Sequence, residues 1–152
     1  MSIKITPAPA HQRPSGKLYL STDQLNLVNN TWTKVALDTI AAGFSDGIED
    51  TVNNRITPGY AGFYDLKGLV TFVNIVAARN YRAAIKISNT TWHSVKYSWA
   101  GGGTYLGVPV GDLVKLTATD YVELLVMSQS GDNTVDIAGL ERLTFLSVQR
   151  VR

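Results

Sequence analysis
The sequence predicts an all-β chain, an antiparallel sandwich of short strands behind an extended N-terminal arm. Three observations predict it. Apolar residues recur with a period of two along most of the chain, as a strand with one buried and one exposed face requires. Pairs of turn-forming residues interrupt that alternation at short intervals, and the spacing of an amphipathic helix is nearly absent.

The arm comes first. Pro7, Pro9 and Pro14 lie within the first segment, and each removes a backbone donor and restricts its predecessor, so this stretch is kept out of a sheet interior. Its charged residues, Lys4, Arg13 and Lys17, have no acidic neighbour, the composition of a basic segment that orders on another surface. We divide the chain into an arm over 1–16 and one domain over 17–152.

From there the alternation carries the reading. Tyr64, Leu66, Gly68, Val70 and Phe72 share one face of a strand whose other face holds Asp65, Lys67 and Thr71. Tyr81, Ala83, Ile85 and Ile87 alternate with Arg82, Ala84, Lys86 and Ser88. Val122, Leu124 and Val126 alternate with Tyr121, Glu123, Leu125 and Met127, so this strand is expected to be buried on both sides. Shorter strands are expected at 18–20, at 31–38 with Val35 and Leu37 inward, and at 93–99, 105–110, 113–117 and 143–151. Turns are expected at Asn29-Asn30, Asp46-Gly47, Asn53-Asn54, Pro58-Gly59, Gly101-Gly102-Gly103, Gly111-Asp112 and Ser130-Gly131-Asp132-Asn133.

Composition narrows the function. Charged residues make up only 17% of the 152, below the usual quarter for soluble domains, so part of the surface is expected to lie against other subunits. The formal charge of +2 is too weak a field to argue for a nucleic-acid partner. The absence of cysteine excludes disulfides, thiolate nucleophiles and cysteine-based zinc sites. The first residues lack the apolar core of a signal peptide, and no stretch approaches the roughly 18 apolar residues of a membrane helix. No membrane partner is expected, and synthesis in the cytoplasm is.

The run Pro58-Gly59-Tyr60-Ala61-Gly62-Phe63-Tyr64, leading into an alternating strand, resembles the globular heads of complement and tumour necrosis factor type. Three further stretches follow in the order those heads show. They are Gly101-Gly102-Gly103-Thr104-Tyr105-Leu106, the segment Leu116-Thr117-Ala118-Thr119-Asp120-Tyr121-Val122-Glu123-Leu124, and a last aromatic strand around Leu143-Thr144-Phe145-Leu146. Thr119 stands where such heads usually carry glycine. The resemblance implies a jelly roll that forms a threefold trimer, with Tyr60, Phe63, Tyr64 and Phe145 as the residues expected at the subunit interface. Leu20-Ser21-Thr22-Asp23-Gln24 and Asn29-Asn30-Thr31-Trp32-Thr33-Lys34-Val35 are similar to the small heads of bacteriophage virion proteins.

The last strand bears on the same point. Leu143 and Phe145 fall on one face and Leu146 and Val148 on the other, which fits either a covering subunit or a bulge that switches faces.

Catalytic chemistry finds little support. The two histidines are His11, in the arm, and His93, between Trp92 and Ser94, and neither stands in a nucleophile–base pattern. Asp46, Glu49 and Asp50 cluster without the spacing of a metal loop, and Asp132 and Asp136 do no better. We expect no enzyme, cofactor or metal. Trp32, Trp92, Trp99 and Tyr105 either pack in the core or anchor a partner such as a sugar ring. The expected function is that of a virion structural protein, a trimeric capsid decoration or auxiliary protein. Its arm, with Lys4, Arg13 and Lys17, would bind a major capsid or other virion protein. The alternative is a receptor-binding fibre or spike head that reads a host glycan or protein through loops at 90–94 and 130–136.

Overall fold
The computed structural model describes residues 14–43, 45–89, 91–99, 101 and 103–151, with the backbone alone at 91, 94, 96, 97 and 99. Every regular element among them is a strand. In chain order these are β1 (Ser15–Tyr19), β2 (Thr33–Lys34), β3 (Thr39–Ile40), β4 (Glu49–Asp50), β5 (Arg55–Ile56), β6 (Gly62–Val73), β7 (Asn80–Ile87), β8 (Thr91–Trp99), β9 (Tyr105–Leu116), β10 (Val122–Gln129), β11 (Asp136–Ile137) and β12 (Phe145–Arg150).

They form two antiparallel sheets. In the front sheet β6 pairs with β9 on one side and with β12 and β11 on the other, and the sheet continues through β1 to β3. In the back sheet the order is β4, β5, β10, β7, β8, with β2 beside β10. The expected sandwich is present, and the alternation explains why. On β6, Tyr64, Leu66, Val70 and Phe72 are fully buried, and on β7 so are Tyr81, Ala83 and Ile85. Both sets face the space between the sheets, where Leu18, Leu124, Val126, Leu146 and Val148 join them in one apolar core. Each fully buried aliphatic or aromatic side chain contributes about 1.5–3 kcal/mol.

The turn chemistry reads through to the backbone. Asn30 and Asn54 take left-handed φ values of 57° and 50° in the turns that their asparagine pairs predict. Val35 and Leu37 are buried as expected, although only Thr33–Lys34 of that stretch forms a ladder.

Two expectations are corrected. No turn divides residues 105–117, since β9 runs unbroken and pairs with β6 along its whole length. Gly111 is there because a side chain would lie 2.9 Å from the carbonyl oxygen of Leu66, so the glycine serves a close approach inside the ladder. The arm boundary after residue 16 falls inside β1. Ser15 pairs with Gln149, and the Asp46 carboxylate accepts its N–H at 2.7 Å and its hydroxyl at 3.0 Å.

Candidate functional site
The outer face of the front sheet is the first candidate. Adjacent strands bring Tyr19, Phe145, Leu69 and Pro109 side by side across β1, β12, β6 and β9. Each alternates with core residues, so all four point away from the sandwich. Pro109 is tolerated because β9 is an edge strand. A second apolar group, Phe63, Leu113 and Val151, lines a cavity of about 500 Å³ with Asp65 at the other end of the same face. Between the two groups runs a polar row of Lys17, Ser147, Lys67 and Gly111. Phe63 and Leu113 are 45% and 60% exposed, so the face carries large apolar side chains in water.

The residues expected at the interface separate on this geometry. Phe63 and Phe145 lie on the outer face, and Tyr60 is half-exposed in the turn before β6. Tyr64 does not belong with them. It is fully buried, and its hydroxyl donates to the Tyr60 carbonyl at 2.8 Å. Burial also raises the Tyr64 hydroxyl above the ordinary tyrosine range. Neighbours on a strand face opposite ways, so Phe63 and Tyr64 cannot both meet a partner. For the last strand, Leu146 and Val148 fill the core and Phe145 the outer face; Leu143 lies in the turn before β12.

Lys17 also moves. It is a residue of β1 rather than of an arm, with its ammonium 3.0 Å from Glu141 and 4.5 Å above the Phe145 ring. Lys4, Arg13 and His11 lie outside the described residues. The acidic cluster has structural work. Asp46 holds Ser15, Glu49 accepts the Lys17 N–H at 3.2 Å, and Asp50 binds Asn53 and Arg55. Hydrogen bonds from the Asn53 side chain and backbone, with the Arg55 charge, hold the Asp50 carboxyl below its usual range. Among the described residues no group of three or more histidine or acidic side chains is placed to hold a metal ion. Asp136 bonds Asn26 and Asn74, and Asp132 closes its own turn with Thr134. His93 faces the sandwich edge, 3.8 Å from Asp112 across β8 and β9.

The back sheet carries a feature that single-strand periodicity does not show. Trp32, just before β2, meets Trp92 of β8 with ring centroids 4.8 Å apart and planes inclined by 56°. The outward-facing Ala84, Leu125 and Met127 on the same sheet are buried, as the doubly apolar pattern of β10 predicts.

Neither a family model nor a curated protein matches the chain by sequence. Solved structures do match by shape. Eiger TNF from S. frugiperda superposes with a TM-score of 0.63 at 6% identity, covering 92% of this chain and 93% of that one. The globular domain of zebrafish complement 1qA protein gives 0.62 at 9% identity, with 93% and 98% covered. The chain has the jelly-roll head fold of the tumour necrosis factor and complement type. At such identities the likeness concerns the fold, and the function of this head has to be argued from its own surfaces.

Proposed function
We propose that this jelly-roll head is a non-catalytic structural protein that works as a homotrimer, three copies closing their front-sheet faces around a common axis. The observation that carries the reading is the apolar row Tyr19–Phe145–Leu69–Pro109, with Phe63, Leu113 and Val151 beyond it, on a sheet face turned to solvent. A closed ring of identical faces removes that surface from water. The low charge content supports the same reading, and the fold neighbours are heads of a similar kind. In the finer form of the proposal the trimer decorates a virion shell, and the segment before Ser15, with Lys4 and Arg13, binds a capsid or other virion protein. That form rests on the resemblance read from the sequence at residues 20–24 and 29–35.

Light scattering on the purified chain tests the assembly. A mass of three copies is expected, and Leu69→Lys should reduce it to one copy while the far-ultraviolet circular dichroism stays unchanged. A monomer mass at every concentration overturns the proposal. For the shell, removal of residues 1–13 should leave the trimer and abolish sedimentation with particles. Unchanged co-sedimentation overturns the role of that segment.

A further inference from the structure
We propose that the outer face of the back sheet, at the Trp32–Trp92 pair, binds a carboxylated sugar, specifically a hexuronate residue of an acidic polysaccharide. The site faces away from the front sheet and does not depend on trimer formation.

The register builds it. Lys86 lies between the inward-facing Ile85 and Ile87, so it points outward. It stands opposite Trp92 on one side and Glu123 on the other. Lys34 reaches Glu123 at 3.0 Å. Two residues along, at the next outward position, Val95, Ala84 and Leu125 lie in line, followed by Arg82 and Met127. Trp32, before β2, meets Trp92 of β8 on this face, where the outward-facing Ala84 and Leu125 are buried. Trp92 keeps 40% of its surface in water, and Val95 on the same strand keeps 38%.

Charge selects the ligand. Among the described residues, Lys34, Arg55 and Lys86 share the face with two acids, Glu123 and Asp50, and those acids are already held by Lys34 and Arg55. Lys86 enters no ion pair among the described residues. An exposed indole next to a cation matches a sugar ring that offers an apolar face for stacking and a carboxylate at its edge. A nucleic acid fits less well, because it calls for successive stacking platforms along a basic track. Among the described residues this face holds one inclined ring pair, on a chain of formal charge +2.

The test titrates the intact protein with a tetramer of galacturonic acid, with the same tetramer after reduction of its carboxyl groups, and with oligodeoxythymidylate. Tryptophan fluorescence and the indole N–H resonances report binding. The galacturonate tetramer should bind and shift the Trp92 resonance, with affinity falling as salt rises. The reduced tetramer, Trp92→Ala and Lys86→Glu should each bind about tenfold more weakly or worse. Lys86→Glu alters a surface charge and keeps the test decisive where Trp92→Ala disturbs folding. Leu69→Lys should bind as the parent does, which separates this site from the assembly face. Failure of the galacturonate tetramer to bind overturns the proposal. So does equal binding of the reduced tetramer, tighter binding of the oligonucleotide, or undiminished binding by Lys86→Glu.

Discussion

Gly139 lies between β11 and β12, where the chain crosses the segment leaving β1. A methyl group there would stand 2.5, 2.6 and 2.7 Å from the carbonyl carbon, Cα and nitrogen of Thr22. Relative to the 3.4 Å lower edge of ordinary contact, the overlap is about 0.7–0.9 Å, and the atoms met are backbone, which cannot rotate away. Gly139→Ala therefore has to separate the two segments. That movement strains the Gly139 N–H bond to the Asp23 carboxylate at 2.7 Å and the Leu140 N–H bond to the Leu20 carbonyl at 2.6 Å. A bond to a charged acceptor contributes about 1.5–3 kcal/mol and a neutral one about 0.5–1.5. Leu140 offers no slack, since it already sits at a φ of 114°, a strained value for a leucine. Alanine's lower unfolded-state entropy returns about 0.4–1 kcal/mol. The net expectation is a loss of about 1–4 kcal/mol.

Urea unfolding at one fixed protomer concentration measures it, because assembly makes stability concentration-dependent. With a slope of about 2 kcal/mol per molar, the midpoint should fall by about 0.5–2 M. Gly101→Ala is the control, with nothing within 4 Å of the added carbon, and its midpoint should stay level or rise slightly. A Gly139→Ala midpoint equal to that of Gly101→Ala would refute the Thr22–Gly139 crossing as described.

Two further predictions concern stability. Tyr81→Phe should cost about 1–3 kcal/mol, because the buried Tyr81 hydroxyl accepts the Val76 N–H at 2.7 Å and donates to the Val76 carbonyl at 3.2 Å; a urea midpoint equal to the parent's speaks against that clasp. Asp120 accepts the Thr117 N–H and the hydroxyls of Ser88 and Thr117, each at 2.8 Å, and these bonds outweigh burial and hold its carboxyl below the ordinary 3.8. A carboxyl depressed in the folded state stabilises fully above its unfolded value, and that contribution is lost as pH falls below 3.8 through the folded value. Asp120→Asn should therefore be less stable than the parent at neutral pH, with the difference narrowing in that acid window. A difference that stays constant under acid conditions counts against the role of Asp120.

Much of the sandwich was legible because a strand's side-chain period reports burial directly. The inward sets on β6, β7 and β10 are the residues whose spacing marks them, and the asparagine pairs at 29–30 and 53–54 take the turn geometry their chemistry favours. The two departures have different causes. Gly111-Asp112 carries turn chemistry, but twelve consecutive pairings with β6 are worth more than a local preference. Tyr64 was grouped with Phe63 through an aromatic cluster, although the period of two assigns them to opposite faces.

The amino-acid sequence by itself determined the β class, the inward face of each long strand and the double burial of β10, since these depend on patterns within one segment. Tertiary structure decided what depends on neighbours distant in the chain. It put Lys17 over Phe145 and beside Glu141, gathered Tyr19, Phe145, Leu69 and Pro109 into one row, and brought Trp32 onto Trp92. Each of these follows from strand order and register, which long-range pairing sets and local periodicity does not encode.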